Sequence, residues 1–154
     1  MPIDVFISYS HKDKKLREKL DAHLSNLRNQ GLINAWHDGD ITPGTEWEKQ
    51  IIEHLTTAQI ILLLISADFL ASTFITSTEL KQAVARHDAH QACVIPIILR
   101  SADWAGAPFA KLQVLPTNAR PVTKWARQDD AFTDIAKGIK RAIDNLQINT
   151  TLNP

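Results

Sequence analysis

Two apolar rhythms alternate along this chain. One is the unbroken run. Gln59 to Ile65 spans seven residues, of which six are aliphatic. A membrane span needs ~20 apolar residues, so this run is too short for one. An uninterrupted run of this length with polar flanks predicts a strand buried on both faces, as in a parallel sheet. Cys93 to Leu99 repeats the pattern, and Ile3 to Ser8 is a shorter version. The other rhythm is helical. Leu16, Leu20, Leu24 and Leu27 predict an amphipathic helix from Asp13 to about Gln30, with Gly31 just past its end. Thr45 with Glu48 three residues on is a capping-box pattern, and Trp47, Ile51, Ile52 and Leu55 give the apolar face of the helix it starts. Leu80, Ala83 and Val84 mark a third helix, which carries Glu79 and ends near His90. Phe132, Ile135, Ile139, Ile143 and Leu146 mark a last one, capped by Asp129 or Asp130.

Leu32 to His37 and Arg120 to Thr123 read as weaker strands, the first nearer an edge. Between them run two loops, Asp38 to Gly44 and Arg100 to Pro116. Strands and helices then alternate from end to end. Such alternation predicts an α/β fold, a parallel sheet with helices on both faces and right-handed crossovers. Five strands suit the 2-1-3-4-5 order of flavodoxin-like folds, whose ligand crevice opens at the carboxyl edge where the order reverses. Ser8 to Asp13 and Ser66 to Ser72 are expected to line that crevice.

At 154 residues the chain fits one domain. The pattern assigns residues 1–148 to that domain and 149–154, polar and turn-prone, to a tail or the start of a linker. Lys plus Arg equal Asp plus Glu at 17 each, so no basic bias points to nucleic acid or to an acidic membrane surface. The one cysteine, Cys93, sits in an apolar run and allows no internal disulfide. It reads as a small core residue in a reducing compartment, the cytoplasm. The start of the chain has no basic stretch followed by a long apolar segment, so no secretory signal is expected.

Several chemistries can be struck out. The glycines Gly31, Gly39, Gly44, Gly106 and Gly138 form neither G-x-G-x-x-G nor a Walker loop. His87 and His90 share a helix but have no further ligand at zinc spacing, so no metal is expected. Ser8, Ser10 and Ser66 lack the G-x-S-x-G context of a serine hydrolase. A phosphoacceptor receiver domain wants clustered acids after its first strand, where this chain has Ser8, Tyr9 and Ser10. What remains is a crevice rich in hydroxyls and aromatics with one carboxylate, Glu79, on the helix after the central strand. A carboxylate beside a ribose can stabilise an oxocarbenium-like transition state. The same residue also fits as a solvated first-turn glutamate that favours the helix dipole.

The residues resemble a family. Val5-Phe6-Ile7-Ser8-Tyr9-Ser10 is similar to the first box of Toll/interleukin receptor (TIR) domains, with His11-Lys12-Asp13 typical of bacterial members. Trp36-His37-Asp38 through Ile41, Pro43-Gly44 and Trp47 resembles the second box, the BB loop. Val94-Ile95-Pro96-Ile97-Ile98, Asp103-Trp104 and Leu115-Pro116 resemble the later region. The match runs from about Ile3 to Leu146.

The resemblance implies a flavodoxin-like fold and, for many bacterial, plant and axonal members, cleavage of the nicotinamide–ribose bond of NAD. Some members also cyclise the ADP-ribose product. NAD is then a substrate, and no cofactor is required. Glu79 matches the catalytic glutamate. Tyr9, Ser10 and His11 match the first-box side of the pocket, Asp38 and the loop to Gly44 its gate, and Ser66 and Phe69 the side after the central strand. Phe74 is the aromatic before the glutamate. The commoner pattern has a tryptophan four residues before it, where this chain has Ile75; Phe74 stands five before, ~100° round a helix. The resemblance further implies an effector of bacterial antiviral defence that is activated by self-assembly with other TIR domains, with a sensor domain or partner protein beside it. Two alternatives stay open. One is a non-catalytic TIR–TIR interaction module. The other is a different N-glycoside enzyme of similar fold, such as a nucleoside deoxyribosyltransferase.

Overall fold

The computed structural model describes residues 2–37, 53–72 and 78–152, with side chains for all of these except Glu79 and 148–152. Four strands form one parallel sheet: β1 (Ile3–Ser8), β2 (Ile33–His37), β3 (Ile60–Ile65) and β4 (Cys93–Ile98), in the order β2-β1-β3-β4. Ile7 pairs with Leu62 on one side and His37 on the other, and β4 pairs with β3 from Ile60↔Cys93 to Ile65↔Ile98.

β3 is buried at every position because it faces two cores. Ile60, Leu62 and Leu64 point into one cluster, with Leu20, Leu24 and Leu27 of helix α1 (Lys14–Asn29) and Phe132, Ile135, Ile139 and Ile143 of the last helix, α5 (Gln128–Leu152). Ile61, Leu63 and Ile65 point into the other, with Leu80, Ala83 and Val84 of helix α4 (Thr78–Asp88). Successive side chains of a strand point to opposite faces, so a central strand covered on both sides has no polar position to spare. Leu55 enters the second cluster from α2, helical over residues 53–57. The expected capping box at Thr45 and Glu48 lies outside the described residues.

Helix α1 stops as expected. Gly31 adopts φ +73°, its N–H donates to Arg28 O at 2.9 Å, and Leu32 N–H donates to Leu27 O at 3.0 Å. Those two bonds are the Schellman pair that closes a helix on a left-handed residue. Helix α5 runs on to Leu152, past the point where its apolar face ends at Leu146.

The expected strand at Arg120 to Thr123 does not form. Val122–Lys124 is a 3₁₀ turn with Val122 buried in the first core. Its neighbour Pro121 offers no ladder donor, and Thr123 N–H makes a single bond to Leu99 O at 3.1 Å. Leu115 instead meets the sheet, through one parallel bridge to Ile97. Leu115 N–H donates to Pro96 O at 2.9 Å and Leu115 O accepts from Ile98 N–H at 2.8 Å, after which Pro116 has no N–H to continue. Among the described residues the sheet therefore has four strands, and the five-strand order 2-1-3-4-5 is corrected to that count.

This arrangement blunts the outer edge of β4. Its outward N–H groups belong to Val94 and Ile98, with Pro96 between them. Val94 N–H donates to His87 Nδ1 at 3.0 Å, and Ile98 N–H to Leu115. A side chain, a proline and one bridge thus remove the free donors that would template another strand. Among the described residues no helix is long and apolar enough to cross a membrane.

Candidate functional site

The carboxyl edge of the sheet collects the buried polar groups of the described residues. After β1, Ser10 caps a 3₁₀ turn (His11–Asp13) by accepting from Lys12 N–H at 3.3 Å. That turn aims Asp13 inward, where it is 2% exposed. After β3, Ser66 caps the short helix α3 (Ala67–Leu70) by accepting from Phe69 N–H at 3.1 Å. The Ser66 hydroxyl is 0% exposed and donates to Asp13 Oδ2 at 2.5 Å. After β4, Arg100 donates from Nε to Asp13 Oδ1 at 2.7 Å and from Nη2 to Asp68 Oδ2 at 2.5 Å. One guanidinium thus spans two carboxylates. Its hydrogen bonds to Asp13 and then Asp68 hold it above the usual arginine range. A buried carboxylate persists only when paired and hydrogen-bonded, and here both oxygens of Asp13 are engaged.

A second cluster lies on the β2 side. The Tyr9 ring is 8% exposed, edge-on to His11 at 5.9 Å and to His37 at 5.8 Å between centroids. The Arg17 guanidinium lies 5.1 Å from the Tyr9 ring centre, within cation–π range. Arg17 pairs with Asp21 and donates from Nη1 to His37 Nε2 at 3.1 Å. Arginine has no acceptor, so His37 Nε2 accepts and its proton sits on Nδ1. Burial works against the Arg17 charge, but the hydrogen bond to Asp21 and the attraction of Tyr9 and Asp21 outweigh it and hold the group above its ordinary range.

The backbone of Glu79 lies in the first turn of α4. The last turn of α4 is fixed at the opposite, amino edge of the sheet. There His87 meets Val94, and Arg86 Nη1 donates to Leu55 O at 2.5 Å, just ahead of β3. The 11 residues of α4 span ~16 Å at 1.5 Å each, about the length of a strand, so its first turn returns to the carboxyl edge.

Of the expected site residues, Tyr9, Ser10 and His11 stand together at the end of β1. Ser66 and Phe69 are both buried at that edge. Phe69 is 2% exposed in the second core, and the Ser66 hydroxyl has spent its proton on Asp13 and a lone pair on Phe69 N–H. Asp38, Gly44 and Phe74, and the side chain of Glu79, lie outside the described residues. Sequence reasoning missed Asp13, Arg100 and Asp68 as a unit, and Arg17 with His37. One signal was available: Arg100 is a charge placed directly at the end of a buried apolar run, which calls for a partner. Among the described residues no cluster of three or more His, Cys, Asp or Glu could hold a metal ion.

Fold and site together define a doubly wound α/β domain that gathers its polar side chains at the carboxyl edge, around the β1–β3 reversal. The family profile described as TIR domain matches residues 5–136, and the chain belongs to the TIR domain family. It is 46% identical over 138 residues to the uncharacterized protein y4lF of Sinorhizobium fredii, a match that covers 90% of this chain and 43% of that protein. The chain therefore spans less than half the length of that curated relative. Its fold is similar to the TIR domain of the Toll-related receptor TRR-2 from Hydra magnipapillata, with TM-score 0.59, 17% identity and coverage of 91% of this chain and 97% of that one. It is also similar to the TIR domains of the activated Roq1 resistosome directly recognizing the pathogen effector XopQ, with TM-score 0.53, 19% identity and coverage of 88% and 84%.

Proposed function

We propose that this domain is an NAD glycohydrolase that cleaves the nicotinamide–ribose bond, with Glu79 as its catalytic carboxylate. The observation that carries the reading is the position of Glu79 in the first turn of α4, at the carboxyl edge beside the reversal in strand order. In a TIR domain, that is where the resemblance puts the catalytic glutamate. The chemistry is simple to supply. The bond from C1′ to the pyridinium nitrogen breaks, and its electron pair neutralises the ring as nicotinamide leaves. No general acid is needed for that departure. The carboxylate stabilises the ribosyl cation through its ring charge and a ribose hydroxyl. Water adds at C1′ and loses a proton to give ADP-ribose; attack by an adenine nitrogen of the same molecule gives a cyclic product instead.

Tyr9, Ser10 and His11 contribute the β1 wall of the pocket, with Asp38, Gly44 and Phe74 proposed on its other sides. Self-assembly is proposed as the switch, in line with a fold relative that belongs to an activated resistosome. A sensor domain or partner protein and a role in bacterial antiviral defence complete the proposal. The test is incubation of concentrated protein with NAD and chromatography of the products. Nicotinamide with a ribosyl product supports the enzyme. NAD left intact at every protein concentration supports the interaction module.

A further inference from the structure

We propose that Arg100 is a positioning residue for this site. Its bridge from Asp13 to Asp68 fixes α3, the element that precedes the helix bearing Glu79. The inference rests on the NAD-cleaving reading for its activity arm alone.

Helix α3 has four residues, too few to hold together by backbone bonds. Three other things hold it. Ser66 caps its start, Phe69 is buried in the second core, and Asp68 in its first turn is tied to Arg100. Ser72 then turns back on the helix, its N–H and hydroxyl both donating to Phe69 O, at 3.1 and 2.6 Å. Glu79 follows seven residues after Ser72. Whatever fixes α3 therefore fixes the chain up to seven residues before Glu79.

Arg100 suits that task by its shape. Two nitrogens of one planar group face two different carboxylates, one almost fully buried and one half-exposed. A lysine is a single point charge on a flexible stem and cannot hold both in one geometry. The three strands nearest the crevice, β1, β3 and β4, all end on this group of four side chains. Asp13 follows β1, Ser66 and Asp68 follow β3, and Arg100 follows β4. Displacement of a reacting group by about 1 Å can cost on the order of a hundredfold in rate, so a frame of this kind acts on turnover without touching substrate.

The experiment compares the wild-type chain with Arg100→Lys and with Asp68→Asn, which breaks only the half-exposed arm and leaves Asp13 paired. Each is measured by amide hydrogen exchange and by NAD turnover. The expected result is exchange about tenfold faster at Phe69 to Ser72, with the amides of β3 still protected. Alongside it, kcat falls by at least about tenfold in Arg100→Lys while KM for NAD changes little. Wild-type protection of α3 in both variants overturns the proposal, whatever the activity. So does lost protection with unchanged kcat. If the wild-type chain turns over no NAD, the enzyme reading fails by itself, and exchange still decides whether Arg100 holds α3.

Discussion

Ser66 donates its hydroxyl hydrogen to Asp13 across the gap between β1 and β3, at 2.5 Å. That gap is where the strand order reverses, and open sheets of this type bind ligands there. The bond locks the turn after β1 to the start of α3. It also joins the ends of two strands that pair along most of their length, from Val5↔Ile60 to Ser8↔Leu63. Ser66→Ala removes the donor from a buried carboxylate and the cap from α3 together. The expected loss is about 2–4 kcal/mol of unfolding free energy, read from urea denaturation. A loss below about 0.5 kcal/mol would show that Asp13 finds equal compensation from Arg100.

The outer edge of β4 gives a second expectation. His87→Leu keeps bulk at the end of α4 but leaves Val94 N–H without its acceptor. The cost of an unmet, partly buried donor is about 1–3 kcal/mol. The variant should also self-associate more readily through the unblocked edge, seen as a rise in sedimentation coefficient with concentration. Unchanged stability and unchanged sedimentation would show that the imidazole does not guard the edge.

How much of this was legible beforehand depended on periodicity. The run at Ile60 to Ile65 announced a doubly buried strand, because each side chain faces one of two cores and none can be polar. The 3.6-residue spacing in α1 and α5 was readable for the same reason. The supposed strand at Arg120 to Thr123 was not, because four residues carry no period long enough to decide, and Pro121 and Pro116 govern the outcome. The polar frame was illegible for a different reason. Asp13 and Arg100 are 87 positions apart. No local pattern says that a turn aspartate and the residue ending a strand will meet. Ser66 was singled out at the right edge, yet its full burial depends on α3 folding over it.

Cys93 provides a pH-dependent prediction. Burial disfavours the thiolate and pushes the thiol above its ordinary value of 9.0. At pH 8 the native protein should therefore react with iodoacetamide more slowly than the urea-unfolded chain, and the gap should narrow as pH climbs past that value. The sign for stability follows. A raised pKa means that the fold favours the neutral thiol, so this contribution is complete below the ordinary value and is lost as pH rises through the folded one. Equal reaction rates in native and unfolded protein at pH 8 would contradict the assignment of Cys93 as a packed residue.

The central claim is that one carboxylate at the start of α4 carries the chemistry. The direct measurement is NAD consumption by concentrated wild-type protein and by Glu79→Gln, with the fold of each checked by its unfolding transition. Glutamine keeps the size and removes the charge proposed to stabilise the ribosyl cation. The account predicts nicotinamide release by the wild-type chain and a fall of at least about a thousandfold in Glu79→Gln with little change in stability. Equal turnover in both proteins would contradict it.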